Sequence, residues 1–127
     1  MSFLDRYRAG ERTEVWRDLM GLGAQIREPS LFPDAYAVAM ETMTVARQNV
    51  EVLVEQLAKV GYRFAYPEAV HVPPTKDTPR EIEEVETRIG PLPLSLRAFY
   101  EVVGSVDFVQ SWKQLIHFNK KERETAT

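Results

Sequence analysis

Apolar residues recur most regularly in the middle of the chain, between Asp34 and Val60. Eight of them alternate at spacings of three and four: Tyr36, Ala39, Met43, Ala46, Val50, Leu53, Leu57 and Val60. This heptad pattern predicts one long helix over 34–60, with Asp34 as its N-cap and Gly61 directly after its end. At 1.5 Å per residue the helix would be about 40 Å long. We therefore expect it to pack against another helix or a partner chain, and its two alanines would allow a close approach.

Two shorter amphipathic segments precede this helix. The first predicts a helix over 2–9 that Gly10 ends, and the second predicts a helix over 11–26. Their apolar positions are Phe3, Leu4 and Tyr7 in the first and Val15, Trp16, Leu19, Met20, Leu22 and Ile26 in the second. Together with the long helix, these segments predict a helical N-terminal region over 1–61.

The pattern changes after the long helix. Residues 62–66 alternate ring and non-ring side chains, which is the period of a strand. Four prolines follow within residues 67–79, and so many prolines favour a stiff, extended linker. We therefore place the main boundary here, between the helical region and a C-terminal domain over 62–127.

Two short helices are predicted within 79–103. Thr78 and Glu81, with a proline between them, fit a capping box that starts the first helix, and Gly90 ends it. The second helix spans 94–103, with Ser95 as its expected cap. The positions expected to face inward are Ile82, Val85 and Ile89 in the first helix and Leu96, Phe99, Tyr100 and Val103 in the second.

The remaining patterns complete the predicted fold. Residues 106–109 favour a short strand, and residues 112–118 favour another strand or a last helix. The predicted fold class is mainly α, with a small α+β C-terminal part. It comprises a helical N-terminal arm with one long helix (34–60), two short helices (79–103) and a few short strands.

Residues 80–104 carry an ordered set of features: Glu-rich 83–86, Gly90, Leu92-Pro93, the pair Phe99-Tyr100, and Gly104. This order resembles the opening of the Smi/Knr (SUKH) superfamily, although Val103 stands where that family usually has Asn. The resemblance implies a sheet-containing domain that binds other proteins, as an immunity protein against bacterial toxins or as an adaptor. Neither role requires catalysis, and the resemblance does not name the partner.

Residues 1–110 as a whole also resemble a group of bacterial proteins of uncharacterised function that join a helical region to such a segment. Those proteins continue into a longer half that is rich in sheet. The sequence from Gln110 to Thr127 does not match that continuation. We therefore expect a shortened or divergent C-terminal part, with most of the family's antiparallel sheet absent.

Composition and charge narrow the classes of function. The chain has 16 basic and 19 acidic residues, a net charge of −3, which disfavours general nucleic-acid binding. It has no Cys, which excludes disulfides, thiolate metal sites and thiol catalysis. The first residues lack the apolar core of a signal peptide, and no apolar run approaches the roughly 18 residues of a membrane span. A cytoplasmic protein without membrane contact is expected.

No group of residues in the sequence predicts catalysis. His71 and His117 are the only histidines, and with no Cys they favour structural roles over a metal site. The acidic residues of 81–86 alternate around a helix, so most should face water. No Gly-x-Ser-x-Gly motif or phosphate loop is present. Asp107, between two apolar residues, could face a pocket or a partner, but a turn or edge-strand Asp is the simpler interpretation.

These patterns predict a non-enzymatic protein-interaction domain, immunity-protein-like or adaptor-like, that needs no cofactor. Its partner would be another protein or a second copy of the chain. The expected interaction surface comprises Tyr36, Met43, Val50, Leu53, Leu57, Leu92, Leu94, Phe99, Tyr100 and Asp107. The alternative is a structural homo-oligomer joined through the heptad seam over 36–60. A small-molecule binder or enzyme is a third hypothesis, which no residue pattern favours.

Overall fold

The computed structural model of the chain describes residues 1–111. The predictions for 112–118 and for His117 lie outside these residues. The described elements are α1 (Phe3–Arg8), α2 (Arg12–Leu22), a 3₁₀ turn (Gly23–Arg27), α3 (Phe32–Lys59), a second 3₁₀ turn (Pro67–Ala69), β1 (His71–Val72), α4 (Thr78–Ile89), α5 (Leu94–Val102) and β2 (Ser105–Val106). The fold is mainly α with a small α+β part, as predicted.

The long helix α3 begins two residues earlier than predicted. Pro33 lies in its first turn, where a missing N–H costs nothing, and Leu31 is the N-cap. The predicted cap, Asp34, is therefore inside the helix. Its carboxylate instead accepts the backbone N–H groups of Phe3, at 2.7 Å, and Leu4, at 3.1 Å. Asp34 thus satisfies the first unpaired donors of α1 and joins that helix to α3.

The end of α3 follows the prediction. Gly61 has a φ of 87°, a conformation that favours glycine. Its N–H donates to the carbonyl of Ala58, and the N–H of Tyr62 donates to the carbonyl of Leu57, which is the Schellman arrangement. The left-handed glycine turns the chain out of the helix at the predicted residue.

Within the described residues, the segment 62–66 is not the strand that was predicted. In that range it makes one isolated antiparallel bridge, between Phe64 and Gln110, flanked by hydrogen bonds from the Ala65 N–H to the Val109 carbonyl and from the Ser111 N–H to the Arg63 carbonyl. Its rings pack on each other instead, with the Tyr62 and Phe64 centroids 5.0 Å apart, and the Tyr62 hydroxyl donates to the carbonyl of Phe108. In the described part of the chain, the alternation therefore reflects packing of the Tyr62 and Phe64 rings beside a single bridge, and no longer ladder forms there.

The N-terminal core is built by α1, α2 and α3. Its buried members are Tyr7, Val15, Leu19, Ala35 and Val38, against which Phe3, Leu4, Trp16, Leu22, Ile26 and Leu94 pack. Met20, predicted in the apolar stripe of α2, is instead 74% exposed. The helix predicted to reach residue 26 also ends early, because the glycines at its C-terminal end convert it to a 3₁₀ turn.

Helix α3 packs more extensively on α5 than on any other element. Ala39 on α3 and Ala98 on α5 are fully buried, as expected where small side chains let two helices approach. The Tyr36 hydroxyl donates to the carboxylate of Glu101, and Arg47 donates to the carbonyl of Val102 at 3.1 Å. The long helix therefore finds its partner helix within the chain. The division into 1–61 and 62–127 stays a prediction, and this packing crosses it.

The N-terminal capping of α4 differs from the prediction. Asp77 is the N-cap and makes no side-chain cap hydrogen bond. The Thr78 hydroxyl accepts the N–H of Thr75, at 2.8 Å, instead of capping the helix. The predicted capping box is therefore absent, although the proline in the first turn and the end at Gly90 are confirmed. Ser95 is likewise not a cap, because α5 begins at Leu94 with Pro93 before it.

A two-stranded antiparallel sheet joins the segment before α4 to the segment after α5. His71 pairs with Val106 and Val72 pairs with Ser105. The predicted strand over 106–109 is thus present but shorter and earlier. The linker over 67–79, predicted as extended, contains β1 and a 3₁₀ turn. This sheet brings the proline-rich segment beside α4 and α5, where it forms one wall of the site described next.

Candidate functional site

The apolar face of α4 is only partly covered by the rest of the chain. Ile82 is buried, with 5% of its surface exposed, but Val85 is 43% exposed and Ile89 is 74% exposed. The sequence placed all three in the core. The exposure of these three side chains thus increases along α4 toward its C-terminal end.

Helix α5 also leaves apolar side chains in the open. It turns Ala98 toward the interior, where it is fully buried. Leu96 and Tyr100, predicted to face inward, lie on another side of the helix and are 38% and 42% exposed. The choice of Ala98 over the larger residues follows from the close packing on α3, which leaves no room for long side chains at that contact.

A groove of about 540 Å³ runs between these two helices. The residues that contribute its apolar lining from the helices and their connection are Ile82, Val85, Ile89, Leu92, Leu96 and Tyr100. Its far wall is formed by residues 72–75 and 104–105, which include Pro73, Pro74 and Gly104. The polar groups at its edge are Thr75, Thr78, Glu81 and Ser105. The groove is therefore mainly apolar, with a polar rim.

A glycine fixes the far wall of the groove. Gly104 has a φ of 93°, and a Cβ at this position would lie 2.0 Å from the carbonyl oxygen of Val72. A ring nitrogen of His71 lies 2.8 Å from the carbonyl of Val103. This contact also holds the segment before α4 against the segment after α5. His71 thus has a structural hydrogen bond.

A polar network fixes the relative position of α4 and α5 behind the groove. Glu86 accepts the N–H of Leu92 at 2.9 Å and lies 3.7 Å from Arg97. Arg97 in turn pairs with Glu101 at 3.1 Å. Leu92 is consequently held at the floor of the groove, 8% exposed. The acidic side chains of 81–86 were predicted to face water, and Glu86 is the exception.

Tyr36 completes this network from the side of α3. Its ring stacks on Phe32, with centroids 5.4 Å apart, and the guanidinium of Arg97 lies 5.3 Å from its centroid. Burial and the hydrogen bond to the Glu101 carboxylate raise the pKa of Tyr36 well above its usual value. The protonated phenol thus joins α3 to α5 through its hydrogen bond to Glu101.

A second, very small cavity lies on the other side of Leu92. Its volume is about 20 Å³, and Ile26, Arg27, Phe32 and Leu94 are among its lining residues. A space of this size holds about one water molecule. It is too small for a substrate, so the groove is the larger candidate site among residues 1–111.

The groove presents two rows of apolar side chains in helical register. Val85 and Ile89 form one row on α4, and Leu96 and Tyr100 form the other on α5. Residues four apart lie on one side of a helix, and the groove between two such rows is the surface on which a third helix packs. What is exposed is therefore an apolar groove with the geometry of a helix-packing surface.

The residues predicted as an interaction surface lie in several different places. Leu92 is the floor of the groove, Tyr100 lines it, and the Phe99 ring packs edge-on against Tyr100 at 6.1 Å. Tyr36 lies at the contact between α3 and α5, and Leu94 packs on the N-terminal core. Asp107 accepts the N–H of Val109 at 3.0 Å, which is the turn role that was the simpler interpretation.

The four remaining predicted residues lie on α3, between positions 43 and 57. Met43, Val50 and Leu57 are partly buried, and Leu53 is 47% exposed. Other apolar side chains of this half of the helix are exposed as well: Val45, Val52 and Val60. The heptad seam is thus covered near its start and more open toward its end.

Sequence reasoning missed Val85, Ile89 and Leu96 as surface residues. Their spacing correctly indicated an apolar face, but such a stripe predicts contact without showing whether the contact lies within the chain. A distinguishing signal would have been the small Ala98, which marks the side of α5 that another helix can approach.

Within 1–111, no group of three or more His, Cys, Asp or Glu side chains is placed to hold a metal ion. In the same range, no helix is both long enough and apolar enough to cross a bilayer.

Comparisons with known proteins add no relative. The chain matches no protein-family model, no curated protein and no solved structure.

Proposed function

We propose that the chain is a non-enzymatic protein-interaction domain whose binding surface is the groove between α4 and α5. The observation that supports this most is the exposure of Val85, Ile89, Leu96 and Tyr100 in two aligned rows. Contiguous apolar surface with a polar rim is typical of protein-binding sites.

The form of the groove favours a helix as the bound segment. An amphipathic helix lays apolar side chains at spacings of three and four into a groove of this kind. The four side chains Val85, Ile89, Leu96 and Tyr100 offer contacts for such a helix, and Leu92 lies at the bottom of the groove. The wall at 72–75 and 104–105 limits the groove on one side, so the bound helix would lie along α4.

The resemblance of residues 80–104 to the Smi/Knr superfamily supports the same class of function. In that family the partner is a toxin for immunity proteins, or a component of a regulatory complex for adaptors. The features behind the resemblance, Gly90, Leu92-Pro93, Phe99-Tyr100 and Gly104, all lie in or beside the groove. The proposal is therefore immunity-like or adaptor-like binding in a cytoplasmic setting.

The direct test is a binding measurement with groove variants. The purified chain would be titrated, by calorimetry, against the products of neighbouring reading frames. We expect one of them to bind, and expect I89D to weaken that binding at least about a hundredfold because it places a charge in an apolar contact. V52D, which changes an exposed valine on α3, is the matched control and should bind normally. Binding that I89D leaves unchanged would refute the groove as the site.

A second candidate function is a homo-oligomer joined through the heptad seam over 36–60. The exposed Val45, Val52, Leu53 and Val60 favour it. Against it, α5 already covers the start of the seam at Tyr36 and Ala39. Light scattering separates the two candidates, since a seam dimer would dissociate in L53D and persist in I89D.

A further inference from the structure

Two opposite charges lie on the same face of α4. Glu81 lines the groove, and Arg88, which is exposed, follows seven residues later, about two turns along the helix. The separation of about 10.5 Å along the axis prevents them from pairing with each other. Neither forms an ion pair with any residue in the described range 1–111. By contrast, Glu86 on the opposite edge of α4 is engaged with Arg97.

The charged and apolar residues of α4 match those of a second copy of α4 that runs antiparallel to it. A two-fold axis at Val85 places Glu81 of one copy near Arg88 of the other, and the reverse pair forms by symmetry. The same axis places Ile82 near the partner's Ile89 and Val85 near its equivalent. The sequence midpoint between Glu81 and Arg88, and that between Ile82 and Ile89, each lie half a residue from Val85. One two-fold axis near Val85 therefore serves both contacts.

We propose that the groove binds α4 of a second copy of this chain, antiparallel and related by a two-fold axis at Val85. The inference rests on the proposed function, that the groove binds protein, and it names the partner. In this arrangement Val85 and Ile89 of each copy enter the other's groove and contact Leu96 and Tyr100. Two ion pairs between Glu81 and Arg88 flank the apolar contact and set the antiparallel direction.

The size of the groove determines how tightly we expect the two copies to bind each other. A stable interface buries about 800 Å² on each partner, and a surface confined to one helix and one groove lies at the low end. We therefore expect a reversible dimer with a dissociation constant of about 1–100 μM. Since its ion pairs are exposed, the dimer should weaken as ionic strength rises.

Charge-reversal variants of the full chain provide the test. E81R places two arginines opposite each other in the homodimer, and R88E places two glutamates opposite each other. By sedimentation velocity, each variant alone should show a dimer dissociation constant raised roughly tenfold or more. An equimolar mixture of the two should form a heterodimer at least as strong as the wild-type dimer, because every charged contact is again between opposite charges.

Controls separate assembly from folding. Glu81 and Arg88 are exposed, but they lie in the first and last turns of α4, so each charge reversal also opposes the helix dipole. Both variants should therefore remain folded and lose no more than about 5 °C of unfolding temperature. I89D should be monomeric throughout, and V52D should dimerise like the wild type. The double variant carrying E81R and R88E together should recover the dimer.

Three results would overturn the inference. The first is a wild-type chain that stays monomeric at several hundred micromolar. The second is a dimer that dissociates in V52D and not in I89D, which would place the interface on α3. The third is a mixture of E81R and R88E that stays as monomeric as each alone. The proposed function would survive any of these if a foreign protein still bound in an Ile89-dependent manner, and would fail if none did.

Discussion

Gly104 lies so close to the backbone of Val72 that a Cβ on it would come within 2.0 Å of the Val72 carbonyl oxygen. The contact holds the segment after α5 against the proline-rich segment before α4. These two segments form the far wall of the groove. The shape of the groove therefore depends on a position where only glycine fits.

Replacing this glycine should damage the fold. G104A adds a backbone clash and an unfavourable positive φ, and we expect it to lower the free energy of unfolding by roughly 2–4 kcal/mol. Urea unfolding followed by circular dichroism measures the change. The control is G21A, because a Cβ at Gly21, in helix α2, meets nothing within 4 Å. There the helix should gain up to about 1 kcal/mol. Equal effects at the two positions would contradict the close contact.

The contact between Asp34 and α1 gives a second prediction. D34A removes the acceptor of the Phe3 and Leu4 N–H groups and should cost about 1–2 kcal/mol of unfolding free energy. D77A serves as control, because Asp77 makes no side-chain cap hydrogen bond, and should cost less than half as much. Amide exchange of residues 3–8 should accelerate in D34A. An unchanged rate would show that α1 does not depend on this carboxylate.

Tyr36 should make stability depend on alkaline pH. Its pKa is raised in the folded state by burial and by the hydrogen bond to Glu101. The unfolded chain therefore loses this proton first, near pH 10. The stabilisation is complete below that pH and declines as the pH rises toward the folded value.

The variant Y36F isolates this contribution. At pH 7 it loses the hydrogen bond to Glu101 and should be destabilised by about 1–2 kcal/mol. Between pH 9 and pH 11, the wild type should lose stability more steeply than Y36F. Parallel curves in thermal unfolding across this range would mean that Tyr36 titrates as a free phenol.

Truncating a buried leucine and an exposed leucine to alanine should lower the free energy of unfolding by different amounts. Leu19 is 2% exposed in the N-terminal core, and L19A should cost about 2–5 kcal/mol. Leu53 is 47% exposed on α3, and L53A should cost no more than about 1 kcal/mol. Similar losses in chemical unfolding would indicate that the open half of α3 is covered in solution.

Much of the fold could be predicted because local signals and the final packing agree. The apolar periodicity gave α3 to within two residues at its start, and Gly61 and Gly90 marked helix ends where they occur. The caps were harder. Asp34 fits an N-cap by type, but its carboxylate is used by another helix, a long-range contact that no local pattern contains.

The candidate site could be predicted only in part. Leu92 and Tyr100 were identified, while Val85, Ile89 and Leu96 were assigned to the core. A stripe of apolar residues has the same pattern whether its partner lies within the chain or outside it. Which side of α5 becomes buried depends on how closely Ala98 lets α3 approach, and that is decided by tertiary packing.

The central claim is that the groove between α4 and α5 binds α4 of a second copy of the chain. A dilution series of ¹H–¹⁵N correlation spectra on the full chain, from about 10 μM to several hundred micromolar, tests it residue by residue. We predict concentration-dependent shifts confined to residues 72–75, 78–92 and 96–105, with residues 45–60 unchanged. Shifts confined to 45–60, or none over the whole range, would contradict the account.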